Sequence, residues 1–264
     1  MRTRRFLLSL LLALSMMPAA FSQTTAPTTK PANPLHIGSR SGGWMKRHEA
    51  IVERIKKGNV DLLMIGDSIT QNYEKNSPPD NLYKPIWDEF YAPKNAVNLG
   101  ISGDQTGNVL WRLMHGEIDG ISPKAAVILV GTNDTRSGRR SVEETLAGIN
   151  AIVDLLHQKL PNTKLLLLAI LPSWDESFPE KPEKDLKINA ALKEKYGNAS
   201  DVTYMDIGPV FMKDGKLDPS LYYDLKLPKE KDGSQRGPLH PTPQGQRMMA
   251  EAIEPTLKKL MGEK

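Results

Sequence analysis

The sequence predicts an α/β protein, an open three-layer α/β/α sandwich with helices on both faces of a parallel sheet. Two observations carry this. The first is a set of five short, nearly continuous apolar runs: 61–65 (DLLMI), 96–100 (AVNLG), 125–131 (AAVILVG), 164–171 (KLLLLAIL) and 202–207 (VTYMDI). Each is followed by Gly, Pro or polar residues, and unbroken apolar runs of this length mark strands buried on both faces. The second is the helical spacing of the segments between and around them. Strand alternating with helix builds right-handed crossovers and hence a parallel sheet.

The helices follow in chain order. A segment from Trp44 to Lys57 precedes the first strand, and one from Thr106 to His115 opens on a capping-type Thr. Ser141 to Leu160 begins with a capping box, Ser141 with Glu144 three residues on, and sets Val142, Leu146, Ile149, Val153, Leu156 and Leu160 on one face. Residues 183–196 form another. The last starts at Thr242-Pro243, with Thr as N-cap and Pro at the first helical position, and directs Met249, Ile253, Leu257 and Leu260 inward.

At 264 residues the chain is expected to hold one catalytic-size domain, with no need of a metal or disulfide to stabilise it. Hydrophobic residues make up 39% and charged residues 25%, a globular composition. Cysteine is absent, which excludes thiol catalysis, disulfides, Cys-ligated zinc and iron–sulfur centres. The formal charge of +4 includes Arg2, Arg4 and Arg5; without these three, the 35 basic residues fall to 32 against 31 acidic. Nothing here has the clustered basic face that nucleic acid requires. Those three arginines precede an apolar run, Phe6 to Leu14, and the small residues Ala20-Phe21-Ser22. The order predicts a secretory signal peptide over 1–22, cleaved near Ser22, and a secreted or periplasmic protein without a stable membrane anchor. A Thr/Pro/Ala-rich linker is assigned to 23–43 and the folded domain to 44–264.

In sheets of this kind chemistry sits beyond the carboxyl ends of the strands. The first strand leads into Gly66-Asp67-Ser68-Ile69-Thr70, the second into Gly100-Ile101-Ser102-Gly103-Asp104, and the third into Gly131-Thr132-Asn133-Asp134. The fourth leads into Leu171-Pro172-Ser173-Trp174, and Leu239-His240-Pro241 stands just before the last helix. Singly, each polar residue has an ordinary structural use: Ser68 as an N-cap, Asn133 and Asp134 in a turn, Gly103 for a left-handed backbone. Together, at one edge, they supply what acyl transfer needs. A hydroxyl nucleophile requires a base, and the tetrahedral oxyanion requires preorganised donors. Ser68 offers Oγ and its N–H, Gly103 an N–H free of side-chain bulk, Asn133 an amide, and His240 the base.

These four blocks resemble those of the SGNH (GDSL-type) hydrolases. LLMIGDSIT matches the Ser block, NLGISGDQTGNVLWRL the Gly block, VILVGTNDT the Asn block and LHPTPQGQ the His block, together spanning about residues 44 to 260. Within the family the likeness is strongest to the platelet-activating-factor acetylhydrolase catalytic-subunit type, whose most distinctive stretch here is GD-T-x-x-VLWRL. The resemblance implies a flavodoxin-like parallel sheet and ester hydrolysis with no metal or other cofactor. Carried over by position, it makes Ser68 the nucleophile, His240 the base, and Ser68 N–H, Gly103 N–H and Asn133 the oxyanion hole. One block departs from the pattern. The family places an Asp three residues before the His, where this chain has Gly237, and 225–237 (LKLPKEKDGSQRG) reads as an insertion. Asp224 takes the acid's place if that segment loops out. Asp232, or a Ser–His dyad with no acid, are the alternatives.

The reading is an exported serine esterase acting on a small-molecule or glycan ester, with O-acetyl groups on carbohydrates as the expected substrates. A lipid or phospholipid acylhydrolase and a sugar O-acyltransferase share the acyl-enzyme chemistry. A catalytically silent glycan-binding module is the alternative of another class. The sequence contains no GxSxG elbow, GxGxxG, Walker A or HExxH spacing.

Overall fold

Five parallel strands organise the protein: β1 Leu62–Gly66, β2 Ala96–Gly100, β3 Ala125–Leu129, β4 Lys164–Leu168 and β5 Val202–Met205. They lie side by side in the order β2-β1-β3-β4-β5, the flavodoxin-like arrangement, whose direction of winding reverses between β1 and β3. The register is continuous, with Gly66 of β1 opposite Gly100 of β2 and Leu129 of β3. This computed structural model describes residues 35–78, 81–136, 140–174, 176, 178–229 and 237–263. The expected signal peptide, the linker as far as residue 34, and Asp232 lie outside the described residues.

Successive strand residues point to opposite faces and feed two separate cores. Leu63, Ile65, Val97, Leu99, Ala126, Ile128, Leu165 and Leu167 face one side. There they meet α1 (Gly43–Lys56), α4 (Thr106–Met114), α6 (Val142–Lys159) and α7 (Lys181–Tyr196). Leu62, Met64, Val127, Leu129, Leu166 and Leu168 face the other side, covered by α3 (Lys84–Phe90) and α8 (Pro243–Met261). Two short helices, α2 (Ser68–Gln71) and α5 (Thr132–Arg136), start directly after β1 and β3. Burying a residue such as Ile253 or Leu257 of α8 contributes about 1.5–3 kcal/mol, so each long helix is held by its apolar face more than by propensity.

Two of the three expected caps are formed; at α4 the N-cap is Gln105 rather than Thr106, which becomes the first helical residue because its hydroxyl donates to Asp134. At the start of α6, Ser141 Oγ accepts from Glu144 N at 3.1 Å and Glu144 returns a carboxylate to Ser141 N at 2.8 Å. At the start of α8, Thr242 Oγ1 accepts from Gly245 N at 3.2 Å. Residues 35–42, expected to belong to the linker, are docked on the domain. Leu35 and Ile37 pack against the core, His36 Nε2 meets Glu144 Oε1 at 2.8 Å, and Asn108 Nδ2 donates to Gly38 O at 2.9 Å. Composition marks this stretch as loop, and loop it is, but it covers the start of α4. No helix among the described residues is long and apolar enough to cross a membrane.

Candidate active site

Tight packing of backbone on backbone brings the strand ends together. A Cβ on Gly100 would lie 2.3 Å from Gln71 N and 2.7 Å from Asp67 O, so only glycine lets α2 settle onto β2. The turn between β1 and α2 is thereby pressed into the sheet edge. Asp67 caps α2, its Oδ1 accepting from Ile69 N at 2.9 Å, and Ser68 follows as the first helical residue, only 7% exposed.

Ser68 Oγ lies 2.9 Å from His240 Nε2, and His240 Nδ1 lies 2.9 Å from Asp224 Oδ1. Ser68 is far in sequence from the other two. What holds Asp224 and His240 together is a short antiparallel pairing. Tyr223 N donates to His240 O and Thr242 N to Leu221 O, both at 2.8 Å, around a bridge between Tyr222 and Pro241. Tyr83 Oη donates to Pro241 O at 2.9 Å and Tyr222 Oη to Pro172 O, pinning this ribbon to the body. The pairing sets Asp224 beside His240 although 16 positions separate them. Asp224 Oδ2 also accepts from the backbone N–H of Leu239, at 3.2 Å, and of His240. Burial alone would raise its pKa, but the imidazole and these two N–H groups together outweigh burial and hold the carboxyl below the usual carboxylate range. Asp224 is therefore ionised at neutral pH.

Gly103 has φ of 77°, a left-handed conformation that a side chain strains, and a Cβ there would lie 3.1 Å from Arg40 Nη1. Asn133, in the first turn of α5, donates from Nδ2 to Asp104 O at 2.9 Å and to Asp67 Oδ2 at 3.3 Å. The structure thus gathers Ser68, Gly103, Asn133, His240 and Asp224 at the carboxyl ends of β1, β2 and β3. Asp67 and Asp134 lie behind them, fully or almost fully buried. Burial pushes Asp67 up to about 7 and Asp134 to about 6; Asp134 is countered by Thr106, whose N and Oγ1 donate to it at 3.0 and 2.7 Å. Sequence reasoning passed over Asp67, Asp104 and Arg112 as ordinary polar residues. The clue was available: three charged residues fall within or beside two blocks that otherwise read as core.

Among the aromatic residues of these segments, Trp174 is exposed and Phe178 half-buried, while Tyr222 is fully buried and serves the ribbon described above. Trp111 packs against the core, as its helix requires. A cleft of about 400 Å³ opens at the carboxyl ends of β4 and β5, walled by Ile170, Pro172, Pro182, Leu186, Pro209 and Met212.

Fold and family together define the class. Residues 64–248 match the model of the GDSL-like Lipase/Acylhydrolase family, and the chain belongs to that family. It is an ester-hydrolysing enzyme. Over 183 residues it is 34% identical to Platelet-activating factor acetylhydrolase IB subunit alpha2 of Rattus norvegicus, a match covering 69% of this chain and 75% of that one. Its fold is similar to that of a GDSL-like lipase from Bacteroides thetaiotaomicron, with a TM-score of 0.60 and 23% identity over 81% of this chain and 97% of the other. A carbohydrate acetylesterase from Sinorhizobium meliloti shares the fold at a TM-score of 0.54 and 17% identity, covering 76% and 99%.

Proposed function

We propose that the protein is an exported serine esterase that removes short acyl groups, acetyl above all, through a Ser68 acyl-enzyme, with acetylated carbohydrates as its substrates. The observation that carries the mechanism is the chain of 2.9 Å contacts from Ser68 Oγ through His240 to Asp224. Ser68 Oγ–H donates to Nε2, and its proton passes there as Oγ attacks the ester carbonyl. Asp224 accepts Nδ1–H, which keeps Nε2 free as the acceptor and stabilises the imidazolium. The N–H groups of Ser68 and Gly103 and the Asn133 amide receive the oxyanion. His240 then returns the proton to the leaving alkoxide. Water repeats the sequence on the acyl-enzyme and restores Ser68.

Export rests on the N-terminal signal pattern, and the carbohydrate substrate on that location. A second reading, acetyl esters of lipids, is favoured by the relatives named platelet-activating factor acetylhydrolase. The two separate in one experiment: p-nitrophenyl esters from acetate to decanoate fix the acyl length, and release of acetate from acetylated xylan is compared with release from platelet-activating factor. Preference for the lipid would overturn the carbohydrate assignment and leave the mechanism standing.

Two further outcomes are expected. Asn133→Ala lowers kcat by roughly 10²–10³-fold while KM changes little, because a donor to the oxyanion acts in the transition state. Steady-state kinetics on p-nitrophenyl acetate check this, and an equal effect on the binding of a ground-state inhibitor would contradict it. Excess EDTA leaves turnover unchanged, since the serine mechanism generates its nucleophile without a metal. Loss of activity restored by a divalent ion would contradict it.

A further inference from the structure

The Arg112 side chain, on α4, is wholly buried. A guanidinium taken out of water is stabilised only by close partners, and such a cluster is often no better for stability than apolar residues of the same volume. Arg112 uses its planar fork in three directions. Nε donates to Asp104 Oδ2 at 2.8 Å, Nη1 to Glu117 Oε2, and Nη2 to Gly66 O at 3.3 Å. The remaining partners complete the cluster. Trp44 Nε1 donates to Asp104 Oδ1 at 2.6 Å, Arg40 Nη1 approaches the same oxygen at 3.4 Å from the rim, and His48 Nδ1 meets Glu117 Oε1 at 2.9 Å.

These partners connect the ends of three different strands. Gly66 ends β1, two residues before Ser68, and its carbonyl also accepts from Ile101 N, at 3.4 Å, just after β2. Asp104 directly follows Gly103, and its backbone carbonyl is the acceptor that holds Asn133 Nδ2, beyond β3, at 2.9 Å. The Asp104 carboxyl is thus gripped by Arg112 while its main chain orients the amide.

We propose that Arg112 is a positioning residue that sets the spacing of the three oxyanion donors, gripping the Ser68 strand at Gly66 and the Gly103 loop at Asp104, and through Asp104 the amide of Asn133. The inference rests on the assignment of Ser68, Gly103 and Asn133 as those donors. Lysine cannot take its place: an ammonium is a point charge and does not reach Asp104, Glu117 and Gly66 with the directions of a fork. Misplacement of catalytic groups by about 1 Å costs on the order of 10²-fold in rate.

The test is a double-mutant cycle between Arg112→Lys and Asn133→Ala, read as kcat and KM on p-nitrophenyl acetate, with thermal unfolding followed in parallel. Arg112→Lys alone is expected to lower kcat by about 10²-fold with KM within about twofold. In the Asn133→Ala background the same change is expected to cost measurably less, because one of the three donors it positions is already gone. Equal costs in both backgrounds, or a loss that appears only as a lower unfolding temperature, would overturn the inference. An Asn133→Ala protein with full activity would overturn the donor assignment itself, a result distinct from additivity. Should Arg112→Lys not fold, Trp44→Phe carries the same cycle: it keeps an aromatic ring and removes one donor to Asp104, and its loss in kcat should likewise shrink when Asn133 is absent.

Discussion

Ser68→Ala is expected to lower kcat for p-nitrophenyl acetate by at least about 10⁴-fold. The substitution removes the one atom that faces His240 Nε2 at hydrogen-bond distance among the described residues. It should leave the fold intact. Ser68 is the first residue of α2, where Ala is fully compatible, and the cap of that helix is the Asp67 side chain rather than the Ser68 hydroxyl. The lost contact with a part-buried imidazole is worth only about 1 kcal/mol. An unchanged unfolding temperature together with lost labelling by a fluorophosphonate is the expected pair of results. Retention of more than a few per cent of activity would move the nucleophile elsewhere.

Asp224→Asn is expected to be nearly as damaging, with kcat lower by about 10⁴-fold. The reason lies in the second oxygen. Asp224 Oδ2 accepts from the N–H groups of Leu239 and His240, while Oδ1 faces His240 Nδ1. An Asn here must point its oxygen at the two backbone donors, because its NH₂ would confront them donor to donor. The NH₂ then faces Nδ1, and the imidazole takes the tautomer with its proton on Nε2. That places a donor against Ser68 where an acceptor is required. A proton NMR signal from the Nδ1–H in the parent protein, absent in the variant, would report the switch directly. A variant with normal kcat would leave a Ser–His dyad as the working unit.

Much of this was readable from residue order. The five apolar runs mark the strands because both faces of the sheet are covered, so few polar residues interrupt them. Asp224 was one of the candidates the sequence offered beside Asp232, and the burial of Leu221 and Tyr222 just before it holds it 2.9 Å from His240 Nδ1. What stayed hidden is short or charged. α3 spans seven residues with Ile86 alone buried, too little for a periodic signal. α7 begins at Lys181, earlier than the expected 183, because that lysine is buried against Asp185 and Ser173 and so reads as loop in a linear pattern. The docking of 35–42 depends on backbone carbonyls such as Gly38 O, which composition does not register. The ion cluster around Arg112 joins residues that are far apart in sequence, from Trp44 to Glu117, and only the fold makes them neighbours.

The Asn133 amide has two hydrogens, and both have acceptors within the resting protein: the Asp104 carbonyl at 2.9 Å and, less closely, the Asp67 carboxyl at 3.3 Å. An incoming oxygen must therefore win a hydrogen that already has an owner. The neutral carbonyl of an intact ester is a poor competitor against the Asp67 carboxyl, whereas the alkoxide of a tetrahedral adduct is a strong one. On the donor role proposed for Asn133, the longer of the two bonds is the one to be surrendered, once charge has built up on the substrate. On that proposed role, Asp67 would set a threshold: the amide would contribute little to holding the ester and much to holding what the ester becomes, separating occupancy of the site from commitment to bond breaking by the allegiance of a single hydrogen.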